Sequence, residues 1–142
     1  MTRQGSARWE GALRDGKGTL TTESGALLKT PYSYPSRFEN SAGTNPEELL
    51  AAAHAGCFTM ALTAQLGSSG VKPDSIYTTA TVTLEKQPSG YMISGVHLDV
   101  TARIPGIDAL LFERAAAQAK ATCPISTVLK TKITLEARLS AM

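Results

Sequence analysis

The chain has 142 residues, the length of one compact domain, and a chain of this size buries roughly 70% of its unfolded surface, so it needs no disulfide to fold. Its 14 Lys+Arg against 12 Asp+Glu leave it nearly neutral, with no basic run and only 6% aromatic residues, which argues against nucleic-acid binding. The polar start Met1-Thr2-Arg3-Gln4 is followed by no apolar run, so no signal peptide is expected; a cytoplasmic, reducing setting follows, where a cysteine pair is more often catalytic or redox-active than structural.

In chain order, Ala7 to Leu13 alternates as a strand, Arg14-Asp15-Gly16-Lys17 supplies a hairpin turn, and Gly18 to Thr22 returns extended. Ser24 to Gly43 is rich in Ser, Pro, Gly and Tyr, has no clear period, and reads as a loop carrying Arg37-Phe38-Glu39. Asn45 is a good N-cap, Pro46 fits the first helical position and Glu48 the third, so a helix is predicted from there to about Leu66. It is apolar nearly all round and is expected to be buried on most sides. His54, Thr59, Thr63 and Gln65 within it favour a core helix over a membrane span.

Ile76 to Leu84 alternates at period two, Gln87-Pro88-Ser89-Gly90 turns the chain, and Tyr91 to Ile104 repeats the alternation through Val96, Leu98, Val100 and Ala102, with Gly95 as a candidate bulge. Asp108 caps a predicted helix running through Ala121, with Leu111, Ala115, Gln118 or Ala119, and Thr122 inward. Pro124 breaks it and opens a short helix from Ile125 to Lys130, and Lys132 to Leu139 closes as a strand. The expected fold is α+β, a mostly antiparallel sheet covered by two main helices, in a single domain over residues 1–142.

Sulfur is the best candidate to carry chemistry. Cys57 lies mid-helix, where it is either a buried core thiol or a reactive one; the reactive case needs a cation, and Arg37 is the best-placed by neighbourhood. Cys123 precedes Pro124 at the start of the short helix, where it is either a small residue at a junction or a thiolate favoured by unpaired amides. Glu47 and Glu48 open the long helix, and helix-start electrostatics of about 0.3 to 1 kcal/mol each accounts for both. Neither His54 nor His97 has metal-ligand spacing, so no metal site is expected. No phosphate loop or nucleophile elbow is present, and no cofactor is expected.

Taken together, Arg37-Phe38-Glu39, Gly43-Thr44-Asn45-Pro46-Glu47-Glu48-Leu49, Ala52-Ala53-His54-Ala55-Gly56-Cys57-Phe58 and Lys120-Ala121-Thr122-Cys123-Pro124-Ile125-Ser126 resemble the osmotically inducible protein C (OsmC) family. Trp9-Glu10-Gly11, Gly16-Lys17-Gly18-Thr19 and Pro105-Gly106-Ile107-Asp108 extend the resemblance over essentially the whole chain, and its pattern is that of the OsmC branch rather than of the organic hydroperoxide resistance (Ohr) branch. The resemblance implies an OsmC-like fold in an intertwined homodimer and a thiol peroxidase acting on organic hydroperoxides. It implies Cys57 as the peroxidatic thiol, Cys123 as the resolving thiol, Arg37 and Glu47 as the activating pair, and a dithiol, such as one of lipoyl type, as reductant. Phe38, Phe58 and Met60 are candidates for an apolar access path or for plain packing.

Glu47 and Cys57 are ten positions apart (57 − 47) on one helix, roughly 15 Å along its axis and too far for contact. Two copies crossing antiparallel near residue 52 would bring Glu47 of one subunit to Cys57 of the other, and Ala51, Ala52, Ala53, Ala55 and Gly56 are small enough to permit it. The competing readings are a non-enzymatic dimeric binder of hydrophobic small molecules and a redox sensor. A binder has no need for both cysteines, Arg37 and Glu47 together.

Overall fold

The structure is a computed structural model that describes residues 1–140, and it forms two compact units, Met1–Leu49 and Leu50–Met142. Among the described residues it is a mixed α+β protein with two three-stranded sheets and four helices.

In the first unit, β1 (Gly5–Glu10) and β2 (Lys17–Thr22) form the expected antiparallel hairpin, with Trp9 opposite Gly18. The strand ends at Glu10 rather than at Leu13. The Trp9 indole N–H donates to the Gly11 carbonyl at 3.0 Å and the Gly16 amide to the Ala12 carbonyl at 2.8 Å, so the turn starts earlier. Gly18 is buried, and a Cβ there would lie 2.5 Å from the Tyr32 ring and 2.6 Å from the Trp9 ring, which only glycine avoids.

The stretch read as a loop holds two elements. Strand β3 (Thr30–Tyr32) pairs antiparallel with β2, and a five-residue helix α1 (Tyr34–Phe38) follows. Ser33 and Ser36 cap α1 reciprocally: the Ser36 amide donates to Ser33 Oγ at 3.2 Å and the Ser33 amide to Ser36 Oγ at 2.8 Å. An element of five residues is too short for periodicity to reveal, and Ser33-Tyr34-Pro35-Ser36 was its only local signal.

Helix α2 (Pro46–Ser68) begins as expected, the Glu48 amide donating to Asn45 Oδ1 at 2.8 Å. The Glu48 carboxylate accepts from Thr44 Oγ1 at 2.7 Å. By length and composition alone α2 would pass for a membrane span. The expectation that it is buried on most sides does not hold within the chain: only His54, Phe58, Leu62 and Leu66 are buried, and Met60 is 76% exposed. These four lie at i, i+4, i+8 and i+12, a single stripe facing the core, and the opposite side has no cover from this chain. Phe58 is therefore core packing and no part of an access path.

The second sheet runs β4 (Ser75–Gln87), β5 (Gly90–Arg103), β6 (Lys132–Leu139). The β4–β5 register shifts where Thr83 faces Gly95 and Leu84 faces Ile93, which leaves Ser94 as the extra residue of a bulge. Val96, Leu98, Val100 and Ala102 point inward, all buried. Strand β6 is parallel to β5, because helices α3 (Ala109–Thr122) and α4 (Pro124–Val128) form a crossover between them. Asp108 caps α3, accepting from the Leu111 amide at 3.1 Å. The inner face of α3 is Phe112, Ala115, Ala116 and Ala119, rotated by one residue from the Leu111 and Thr122 face expected. The larger side chain, Phe112, takes the core, and Leu111 is only half-buried.

Two stability predictions follow from α3. Phe112→Ala lowers unfolding free energy by about 3–5 kcal/mol through the cavity it leaves, and Asp108→Ala by about 1 kcal/mol through the lost cap. Urea denaturation checks both, and a Phe112→Ala loss smaller than that of Asp108→Ala would refute the core assignment.

Candidate active site

The sequence candidates come together as two pairs. In the first unit, α1 places Arg37 against Glu47 at the start of α2. Arg37 Nη2 donates to Glu47 Oε1 at 2.6 Å, and Arg37 Nε donates to the same carboxylate at 3.0 and 3.2 Å. Two donor nitrogens on one carboxylate fix the guanidinium plane in a way a lysine could not. The Glu47 side chain is 12% exposed and that of Arg37 38%, so the carboxylate is the buried anchor and the cation keeps an open face.

Arg37 also borders a pocket of about 250 Å³ lined by Trp9, Leu13, Tyr32, Tyr34 and Phe38, with its guanidinium carbon 5.1 Å from the Phe38 ring centre. The rings of Trp9 and Tyr32 meet edge to face at 5.5 Å and form one wall of it. The pocket is apolar with one cation at its border.

In the second unit, Cys57 on α2 and Cys123 at the α3–α4 junction are unlinked thiols with their sulfurs 3.0 Å apart. Cys123 is wholly buried and Cys57 half-buried, so only Cys57 is open to a molecule from solvent. Pro124, which has no N–H to continue α3, starts α4, and Cys123 is at once the C-cap of α3 and the N-cap of α4.

The surroundings divide the pair. Burial pushes the Cys57 thiol up, as do its hydrogen bond to Cys123 and the charge there, while the Ile125 amide pulls it down. Burial also pushes Cys123 up, but hydrogen bonding from Cys57, from the Ser126 amide and hydroxyl and from the Ile125 amide outweighs it and brings its pKa down. The surroundings thus make Cys123 the more acidic thiol of the two and Cys57 the less acidic. None of the groups that shift Cys57 is a side-chain cation.

Two residues beside the thiols went unassigned from sequence. His54, one turn before Cys57, is fully buried with Nε2 2.7 Å from Ser126 Oγ. The available signal was spacing: His54 precedes Cys57 by three positions, and Ser126 follows Cys123 by three. Elsewhere, His97, Asp99 and Glu136 bring ligand atoms within 4.8 Å of one another, but Arg138 holds Asp99 at 2.6 Å and Glu136 at 3.6 Å and already supplies the cation of that cluster.

The family profile described as "OsmC-like protein" matches residues 38–138. Peroxiredoxin OsmC of Escherichia coli is 50% identical over 139 residues, covering 98% of this chain and 97% of that protein. An organic hydroperoxide resistance protein of Xanthomonas axonopodis is 29% identical over 92 residues, covering 64% of this chain and 63% of that one. The crystal structure of the organic hydroperoxide resistance protein OhrB of Bacillus subtilis superimposes with a TM-score of 0.74 at 28% identity, covering 99% of this chain and 98% of that one. With half its residues shared with an OsmC protein across nearly its full length, and the ordered motifs around Cys57 and Cys123 in place, the chain belongs to the OsmC family.

Proposed function

We propose that this protein is a thiol peroxidase that reduces organic hydroperoxides to alcohols through Cys57 and Cys123. The observation that carries the reading is the pair of unlinked sulfurs 3.0 Å apart, one half-exposed and one buried. The relatives named as a peroxiredoxin and as organic hydroperoxide resistance proteins support it.

In this reading Cys57 attacks the terminal peroxide oxygen, the O–O bond breaks, an alcohol leaves and a sulfenic acid remains on Cys57. Cys123 attacks that sulfur and a Cys57–Cys123 disulfide forms with loss of water, which protects Cys57 from irreversible oxidation. An external dithiol, such as one of lipoyl type, reopens the bridge by exchange, which suits a reducing compartment such as the cytoplasm. Arg37, oriented by Glu47, supplies the cation that Cys57 lacks and moves the shared charge onto it. The aromatic pocket beside Arg37 fits the organic part of an alkyl or aryl hydroperoxide better than it fits hydrogen peroxide.

The working form is a homodimer. Its support is the uncovered side of α2, where Ala52, Ala53, Gly56, Met60 and Ala64 lie along one exposed stripe, and where nothing lies within 4 Å of the position a Cβ on Gly56 would take. A second copy crossing there would cover this stripe and bring a partner's Arg37–Glu47 pair toward Cys57.

Treatment of the reduced protein with one equivalent of cumene hydroperoxide is expected to consume both thiols and to give an intramolecular Cys57–Cys123 disulfide by mass spectrometry. Cys57→Ser abolishes the reaction, and Cys123→Ser traps a sulfenic acid on Cys57. Thiols that stay free would sink the peroxidase and leave a dimeric binder of hydrophobic molecules. Arg37→Met is expected to slow the peroxide step about 100-fold in stopped flow with the circular dichroism spectrum unchanged. Sedimentation equilibrium is expected to give a dimer, and Gly56→Leu a shift toward monomer; a monomer with full activity would refute the shared site.

A further inference from the structure

His54 is a fully buried imidazole on the apolar stripe of α2, and the thiol chemistry above gives it no task. Its Nε2 lies 2.7 Å from Ser126 Oγ, and its Nδ1, also buried, has no hydrogen-bond partner among the described residues. The contact with Ser126 is thus the ring's one hydrogen bond among them. Ser126 is buried too, so water does not compete for it. Breaking such a bond inside a core leaves a polar atom with nothing to bond, which holds the two side chains together.

This contact repeats the spacing of the thiol pair. On α2, His54 stands three positions before Cys57, one turn away on the same face. On the other side, Ser126 stands three positions after Cys123, and the Thr127 amide, donating to the Cys123 carbonyl at 3.0 Å, closes the turn that carries both. A step back along α2 is matched by a step forward along α4, so the two segments meet antiparallel. Segments that touch at one point can pivot about it. Touching at two points a turn apart, they pivot only by breaking a contact. The sulfurs, 3.0 Å apart where a disulfide needs about 2.05 Å, are not bonded, so the hydrogen bond is the contact that resists the pivot.

We propose that the His54–Ser126 hydrogen bond is a clasp that holds α4 against α2 and so keeps the Cys57 and Cys123 sulfurs within closing distance. His54 and Ser126 are positioning residues, acting through their helices rather than on the reacting atoms. Closure as a step of peroxide reduction rests on the peroxidase reading above; the clasp does not. In that step the Cys123 sulfur bonds to the sulfur of the Cys57 sulfenic acid and the S–O bond breaks. The leaving hydroxide departs as water with the proton of the Cys123 thiol.

The first test needs no peroxide. The full chain is equilibrated with mixtures of oxidised and reduced dithiothreitol, and the fraction of Cys57–Cys123 disulfide gives its equilibrium constant. Loss of one neutral hydrogen bond changes an equilibrium by about tenfold. Ser126→Ala and His54→Leu are each expected to weaken the disulfide by about that factor, a potential about 30 mV less negative. Ser126→Thr, which keeps the hydroxyl, restores it. The double variant is expected to shift no further than either single one, because both remove the same bond. Asp108→Ala, which weakens the fold at the far end of α3, leaves the constant unchanged. An unmoved constant in folded Ser126→Ala overturns the clasp. So does a double variant whose shift is the sum of the two, or an Asp108→Ala shift as large as that of Ser126→Ala.

The second test adds one equivalent of cumene hydroperoxide. Ser126→Ala is expected to lengthen the life of the Cys57 sulfenic acid about tenfold, and an unchanged lifetime overturns the role in closure. If the dithiothreitol constants move as stated but the hydroperoxide oxidises no thiol in the unmodified protein, the clasp stands and the peroxidase reading falls.

Discussion

Helix α2 meets the α3–α4 junction at two contacts, the sulfurs of Cys57 and Cys123 at 3.0 Å and His54 against Ser126 at 2.7 Å. The geometry of this meeting begins at Pro124. Without an N–H, proline cannot extend α3, so the chain turns at Cys123, whose own N–H still donates to the Ala119 carbonyl and whose carbonyl accepts from the Thr127 amide. Held from both sides by backbone hydrogen bonds, the residue has little freedom to move its sulfur. The placing of the thiol pair thus depends on a junction between two helices, packed on the same core that buries Phe58, Leu62 and Phe112.

The pair also shows how two thiols of one type are made unequal. Both are partly or wholly removed from water, which disfavours charge on either. At this distance charge on one sulfur disfavours charge on the other, so a donor placed near one of them makes that one the more acidic. Amide and hydroxyl groups of α4 favour Cys123. No side-chain cation acts on Cys57, while Arg37 is held by a bidentate pair with Glu47. Arginine suits it because the guanidinium satisfies the carboxylate with two nitrogens and still presents donors on its other edge.

Helix α2 carries a second division, between its faces. The inward stripe of His54, Phe58, Leu62 and Leu66 is used up by the chain's own core. The outward stripe, with Met60 at 76% exposure among alanines and Gly56, is apolar surface that a single chain leaves in water. The all-round apolar character of the helix is thus divided between a core the chain makes for itself and a face that it leaves uncovered.

Much of this was legible one segment at a time. Asn45 and Asp108 as caps, the alternation of Val96 to Ala102, the turn at Pro88-Ser89, and Cys123 at a helix start are each governed by neighbours within a few positions, and the chain order of motifs around both cysteines marked the family. Other features had no such local signature. Strand β3 exists because β2 offers it an edge, β6 runs parallel because α3 and α4 carry the chain across, and the face of α3 turns by one residue because Phe112 fills the core better than Leu111 does. His54 read as an ordinary core residue because its partner is 72 positions away, and the cysteines' approach spans 66. Local sequence sets caps, turns and periodicity, since those depend on backbone geometry over one or two turns. Which side chains meet across such separations, and which of two identical thiols lies in the more stabilising surroundings, was decided only when the packed core brought the elements together.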